Sequence, residues 1–278
     1  MRRAAIAALL AGATAIGLAP IFVRLSEIGS TATAFWRVTL ALPFLWTWTR
    51  VKDSPDGFDW EMLWPGVFFA GDLAVWHVAI RWTSVANATL LANAAPIFVA
   101  LVAWLCWGER LRWTFPVGLA VALCGAALVM RASFAMNGRH FRGDWLGVAT
   151  ALFYAAYQLS VKRLRANHPT GAIMLWSTLV SAVVLFPVAL GLHEQMLPAT
   201  TQGWLVLLAL ALISHVAGQG LIAWALAHGP AGAASVSLLW QPVVAALAAW
   251  VAFGEKLSAS HALGAVVVLV GIYLAWRR

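Results

Sequence analysis

Apolar runs of about 18 to 22 residues succeed one another along nearly the whole chain, each the length a helix needs to cross roughly 30 Å of hydrocarbon. Hydrophobic residues fill 63% of the 278 positions and charged residues only 10%, and 17 residues are Trp, which no water-soluble domain of this length tolerates on its surface. The runs do not alternate in polarity over about ten residues, so a transmembrane β-barrel is excluded. The expected class is an all-α polytopic membrane protein.

Ten transmembrane helices are predicted, at about residues 4–24, 31–50, 61–81, 85–106, 113–130, 143–162, 170–191, 201–225, 231–252 and 258–276. Short loops join them, apart from 51–60 and the polar connector 131–142, so no separate soluble domain is expected. Arg2 and Arg3 ahead of an apolar run resemble a signal peptide. That run is longer than an ordinary signal core, however, and it leads through Pro20 and Arg24 into another span, so it is read as the first crossing.

Lys and Arg orient such a chain. With the N-terminus inside, the cytoplasmic segments hold Arg2, Arg3, Arg50, Lys52, Arg110, Arg112, Lys162, Arg163, Arg165, Arg277 and Arg278. The opposite side holds only Arg24, Arg81, Arg131, Arg139, Arg142 and Lys256, and Arg37 lies within a span. Both termini are therefore expected to be cytoplasmic, in a bacterial inner membrane. The same distribution accounts for the formal charge of +8 and leaves no basic cluster for a nucleic-acid partner. Cys106 and Cys124 have neither metal-ligand spacing nor a disulfide framework and are read as small apolar fillers.

The chain also repeats itself. Shifted by 146 residues without a gap, Pro96, Trp104, Gly108, Glu109, Leu111, Gly118 and Gly125 fall on Pro242, Trp250, Gly254, Glu255, Leu257, Gly264 and Gly271, and Arg110 meets Lys256. The copies occupy spans four and five and spans nine and ten. Five crossings separate each pair, and five is odd, so the two halves insert with opposite orientation. The expected organisation is two inverted five-helix repeats, 1–136 (spans one to five) and 137–278 (spans six to ten).

With Pro96, the Gly108-Glu109-Arg110-Leu111 motif and their equivalents Pro242 and Gly254-Glu255-Lys256-Leu257, the chain resembles EamA-type members of the drug/metabolite transporter superfamily along essentially its whole length. Among these it looks most like bacterial exporters of aromatic and other apolar amino acids. The resemblance implies a basket of helices around a central cavity lined by spans one, three, four, six, eight and nine. Spans five and ten would pack at the periphery, where Gly118, Gly125, Gly264 and Gly271 let helices approach closely. The four-span multidrug relatives carry a carboxylate in their first span, and residues 4–24 contain none. Proton antiport by that route is thereby in doubt, leaving Asp72 as a substitute or facilitated transport as the alternative.

Ionisable residues deep in a span are costly and so draw attention. Arg37 lies about seven residues inside the outer end of span two and Asp72 about nine inside that of span three, both roughly 10 to 14 Å deep at 1.5 Å per residue. Two readings stay open: a structural ion pair, or Asp72 carrying a coupling proton or meeting a substrate ammonium while Arg37 meets a carboxylate. Glu109 and Glu255, at helix ends beside Arg110 and Lys256, suit interfacial salt bridges or a gate latch. Candidate substrate-binding residues are Trp76 and His77 in span three, Asn93 in span four, Tyr154, Tyr157 and Gln158 in span six, His215 and Gln219 in span eight, and Ser237, Trp240 and Gln241 in span nine. Each set shares a helix face at three- or four-residue spacing or sits next to a helix-breaking proline. A lone His or Gln in a span serves as often to bond a neighbouring helix. Trp46, Trp48, Trp60, Trp64, Trp82, Trp107, Trp113, Trp145 and Trp276 sit near span ends, as an interfacial belt would. Pro96 and Pro242 are expected to kink spans four and nine as hinges, with the freed carbonyls turned to the pathway and Asn93 serving either substrate or backbone.

No HExxH, GxSxG or P-loop pattern is present, nor a metal-ligand cluster, so no cofactor or metal is expected and an intramembrane enzyme using Asp72 with His77 or His215 is the remote alternative. The function expected is export of small metabolites, chiefly amino acids with aromatic or apolar side chains, by alternating access. Broad drug/metabolite efflux by proton antiport is second. The partners would be the lipid bilayer and a small solute, with the protein a monomer or weak dimer.

Overall fold

The computed structural model describes residues 2–52, 57–82, 89, 91–109, 112–130, 141–254 and 257–277. Among these the regular backbone is helical, without a strand. Five helices are long and apolar enough to cross a membrane: Arg3–Leu25, Thr170–Gly191, Thr201–Leu226, Ala231–Phe253 and Ala259–Trp276. Leu63–Trp82 and Phe141–Leu164 run for 20 and 24 residues, whereas Ala95–Trp107 is a shorter apolar segment of 13. The predicted span 31–50 is two helices, Ser30–Thr39 and Leu42–Lys52, parted at Leu40–Ala41. Pro43, second in the later helix, lacks an N–H and cannot extend the earlier one.

Other spans are interrupted too. Span one breaks at Leu18, next to Pro20. In span four a turn at Asn93–Ala94 precedes Ala95–Trp107, and residues 83–88 and 90 lie outside the described region. In span nine, Ala231–Ser237 passes through a tighter 3-10 turn, Leu238–Trp240, into Gln241–Phe253. Thus Pro96 and Pro242 each occupy the first turn of a restarted helix, where their missing N–H costs nothing, rather than the middle of a continuous one. Within span eight, Leu210–Gln219 is wound as a wider π-helix.

Ala95–Trp107 and Gln241–Phe253 begin and end 146 residues apart, and both stop at a glycine in the left-handed region, Gly108 (φ 63°) and Gly254 (φ 67°). The helices that follow, Thr114–Met130 and Ala259–Trp276, pack along one another. Their glycines are the reason they approach so closely. A methyl group on Gly125 would stand 2.6 Å from the Val268 nitrogen and 2.9 Å from the Gly264 oxygen, and one on Gly264 would stand 2.8 Å from the Gly125 oxygen.

Polar ties hold the two ends of the helices. At one end the Lys162 ammonium donates to Glu109 Oε1 and to the Gly229 carbonyl, each at 2.8 Å, and the Ala231 N–H donates to the same Glu109 oxygen at 3.2 Å. Glu109 therefore bonds to two other segments, while Arg110, Glu255 and Lys256, its expected partner and the matching pair, lie outside the described residues. Arg163 meets Glu61 at 3.5 Å and His168 meets Asp59 at 3.2 Å. At the other end Glu27 Oε2 accepts from the Ala199 and Thr200 N–H groups, and the Thr200 hydroxyl donates to Oε1. Trp36 Nε1 donates to the Met196 carbonyl at 2.6 Å.

Trp46, Trp60, Trp64, Trp82, Trp107, Trp113 and Trp145 are exposed, as a belt requires. Trp276 departs from that expectation: it is 7% exposed, and its Nε1 donates to Ser237 Oγ at 2.8 Å. Trp48 also turns inward, its ring resting over Gly220, where a Cβ would come within 2.9 Å. Cys106 and Cys124 are exposed on the outer surface rather than filling the interior.

Replacing Gly125 by Val should destabilise the protein by about 1 to 3 kcal/mol through overpacking, whereas Gly191→Ala, with nothing within 4 Å of the added carbon, should be silent. Thermal unfolding in detergent measures both, and equal melting temperatures would contradict the close-packed interface. The Thr200 hydroxyl, and then the two N–H groups, hold the Glu27 carboxyl below the usual carboxylate range. A carboxyl depressed in the folded state stabilises the fold above its unfolded pKa and loses that contribution as the pH falls through the folded one. Between neutral pH and about pH 3, the wild type should therefore lose more thermal stability than Glu27→Gln; equal losses would remove Glu27 from the account.

Candidate functional site

Phe69, Asp72, Leu73 and Trp76 recur at three- and four-residue spacing and so share one face of the helix Leu63–Trp82. Together they form one wall of a cavity of about 160 Å³. On the helix Phe141–Leu164, Thr150 and Tyr154, four residues apart, supply a second wall. The first span contributes Ile16, Ala19, Pro20 and Val23, and the wide helix contributes Leu210 and Gln219. Asn93 and Gln241 enter from the two interrupted spans, Asn93 from the turn before Ala95–Trp107 and Gln241 as the first residue of Gln241–Phe253. Arg37 reaches in from the last turn of Ser30–Thr39. With room for on the order of ten water-sized groups, the cavity matches a small metabolite.

Its walls are mainly apolar, with a few polar groups carrying unmet hydrogen-bonding capacity. Arg37 is 7% exposed, and its Nε and Nη2 are buried without a hydrogen-bond partner among the described residues. The same holds for Asn93 Nδ2, Gln219 Oε1 and Gln241 Nε2. The Tyr154 hydroxyl lies beside the Gln219 and Gln241 amides without hydrogen-bond geometry. Arg37 and Asp72 are near enough to feel each other's charge, yet no hydrogen bond or ion pair of 4.0 Å or less joins them. The Arg37 guanidinium stands instead 5.6 Å from the Phe69 ring centre.

Of the sequence-derived candidates, Arg37, Asp72, Trp76, Asn93, Tyr154, Gln219 and Gln241 come together around this cavity. Gln158 lines a much smaller adjoining space of about 10 Å³ that shares Asn93, Tyr154 and Gln241, with Pro96 at its edge. Tyr157 and His215 form a layer behind Phe69, their ring centres 4.9 and 5.3 Å from its own. His215 Nε2 and Thr178 Oγ1 are 2.8 Å apart.

Ser237 and Trp240 are engaged elsewhere. The Ser237 hydroxyl donates to the Ala233 carbonyl and accepts from Trp276, and Trp240 Nε1 donates to Thr14 Oγ1 at 3.1 Å. Both therefore serve as ties between helices. The side chain of His77 lies outside the described residues. Pro242 is buried at the head of its helix and does not line the cavity. Sequence reasoning missed Phe69, Thr89 and Thr150. The first and third stand at helical spacing from Asp72 and Tyr154, a signal that extending the polar faces by one turn would have caught.

Comparison with known proteins follows the same line. The EamA-like transporter family matches residues 3–131 and again 141–277. A probable terminal-alkyne amino-acid exporter of Streptantibioticus cattleyicolor is 27% identical, over 75% of this chain and 71% of its own. The pseudopaline exporter CntI of Pseudomonas aeruginosa is 28% identical over 74% of this chain and 70% of its own. A probable amino-acid metabolite efflux pump of Escherichia coli is 26% identical over 69% of each. A solved crystal structure, 18% identical, superposes with a TM-score of 0.88 over 99% of this chain and 98% of that one, which shows a shared fold. With family matches on both sides of the polar connector and through nearly all the rest of the sequence, this multi-pass membrane protein belongs to the EamA-like transporter family.

Proposed function

We propose that the protein exports amino acids with aromatic or apolar side chains across a bacterial inner membrane by alternating access. The observation that carries this reading is a cavity in which Trp76 and aliphatic residues of the first span face a small polar group set of Arg37, Asp72, Asn93, Gln219 and Gln241. An apolar pocket with a few convergent polar groups is the usual form of a small-solute site. Several relatives are named as exporters of amino acids or their metabolites, which supports the same class of cargo.

Ten spans in two inverted repeats, 1–136 and 137–278, form the second part of the reading. The family's two matched segments support it, as do helices whose ends recur at a spacing of 146 residues and close on left-handed glycines. Such halves exchange conformations about a central site, with both termini on the cytoplasmic side as the Lys and Arg distribution directs. Rocking would break one set of end ties while keeping the other. The Lys162–Glu109–Ala231 cluster and the Glu27–Thr200 cluster are the groups to watch. The interrupted helices at Pro96 and Pro242 are the places where bending needs least rearrangement of the backbone.

Counterflow of a labelled amino-acid panel in proteoliposomes tests the assignment. Phenylalanine and leucine should exchange as unchanged molecules, and exchange of no aromatic or aliphatic amino acid would overturn the substrate class. Recovery of a chemically altered product would favour an enzyme. Repeating the assay with an imposed pH gradient separates proton antiport from facilitated transport, since only the former accelerates.

Trp76→Ala should raise the half-saturation concentration for phenylalanine about fivefold or more, the loss of roughly 1 kcal/mol of aromatic contact. Trp240→Phe, which removes the bond to Thr14 and part of the ring but keeps an aromatic side chain outside the cavity lining, should leave it unchanged. The reverse ranking would place the aromatic contact in span nine.

A further inference from the structure

We infer that the cavity reads its cargo as a zwitterion, Arg37 holding a carboxylate and Asp72 the ammonium of an α-amino acid whose side chain lies against Trp76. This rests on the carrier reading above and assigns the recognition chemistry of that same site.

The guanidinium supplies the first reason. Nε and Nη2 are the buried nitrogens of Arg37 that lack a hydrogen-bond partner among the described residues. Their N–H bonds leave the same edge of the guanidinium plane and run nearly parallel, the fork that the two oxygens of one carboxylate fill. The Arg37 side chain is 7% exposed and lines the cavity, so this unmet hydrogen-bonding capacity belongs to a cavity-lining cation. The cation has an aromatic neighbour, Phe69, but a ring face at 5.6 Å leaves both N–H groups unused. Asp72 does not fill the fork either, although it lines the same cavity.

Charge balance supplies the second. Among the described residues that line the cavity, Arg37 is the one cation and Asp72 the one anion. A solute with one carboxylate and one ammonium compensates both and adds no net charge to a low-dielectric interior. A simple amine leaves the guanidinium unpaired, and a simple acid leaves the carboxylate unpaired. A solute with two anionic groups would need a second cation, and the cation of the first span, Arg24, sits 4.1 Å over the Phe253 ring outside the cavity lining.

Selectivity then follows from what each analogue leaves unmet. A site built to bond a polar group discriminates strongly against a ligand that lacks it, because its own buried group goes unsatisfied. The wall that faces the side chain is apolar and forgiving, so side-chain identity should matter less than possession of both charged groups.

Three ligands of one ring size test this on the wild-type protein: phenylalanine, 2-phenylethylamine without the carboxylate, and 3-phenylpropanoate without the ammonium. Competition against labelled phenylalanine counterflow, and ligand-induced thermal stabilisation of the detergent-solubilised protein, should both rank phenylalanine at least about tenfold ahead of either analogue. In Arg37→Gln the amine should close the gap on phenylalanine, and in Asp72→Asn the acid should. If phenylalanine exchanges but either analogue competes equally with it in the wild type, the zwitterion clamp is overturned while the carrier reading stands. If no amino acid exchanges or stabilises the folded wild type, both fall together. The wild-type ranking decides the matter even should a variant fail to fold.

Discussion

Hydrocarbon offers no water to an unpaired peptide group, so a chain in the membrane leaves regular helix only where protein or a cavity takes up the freed N–H and C=O. That constraint organises this structure. Among the described residues, its mid-span departures from α-helix fall at Leu18, Leu40–Ala41, Asn93–Ala94, Leu210–Gln219 and Leu238–Trp240. They gather around one place: Ala19, Asn93, Leu210, Gln219 and Gln241, in or next to these segments, all line the cavity, and Arg37 stands one turn before its break. Several turns keep their bonds by tightening. Ala94 donates to Leu91, Ala41 to Val38 and Ile21 to Leu18, each across three residues instead of four. The polar lining and the irregular backbone are therefore one feature, since a broken helix gives a site directions of approach that a straight one lacks.

The 146-residue repeat divides the molecule along the same boundary. Where the two copies agree, the residues shape backbone or packing: the paired prolines open helices, Gly108 and Gly254 close them, and Gly118, Gly125, Gly264 and Gly271 bring two helices together. Where the copies differ, chemistry enters. Asp72 corresponds to Gly218, which lies so close to the first helix that a Cβ there would stand 2.8 Å from Ile16 Cγ1. One position carries a cavity-lining carboxylate, and its equivalent is spent on close packing. His215 corresponds to Phe69, and the two rings meet, 5.3 Å apart, behind Arg37. Positions that match at the 146-residue shift thus surround a centre whose residues do not match.

These differences also explain what could be read from sequence. The helical membrane class, the glycine seam and the exposure of most of the predicted belt tryptophans depend on local composition or on spacing along one helix, and both are visible in a single chain. The cavity members Arg37, Asp72, Trp76, Asn93 and Tyr154 were recoverable because polar or aromatic residues at intramembrane depth are rare enough to stand out. Their relation to one another was not recoverable. Depth along two helices left an ion pair and two separate ligand contacts equally open, and only the rotation of the helices distinguishes them.

Ser237 and Gln241 show why that limit is physical. They stand four residues apart in one interrupted span, as good a shared face as any, yet the 3-10 turn between them rotates the later residue relative to an α-helical path. Gln241 consequently meets the cavity while Ser237 bonds Trp276. Trp240, between them, reaches Thr14. A period of 3.6 assigns all three from one helical wheel, and it fails wherever a proline restarts the helix. In this fold those restarts border the cavity, so helical periodicity misleads in the interrupted spans but holds along Leu63–Trp82 and Phe141–Leu164, which wall the same cavity, and at the glycine seam.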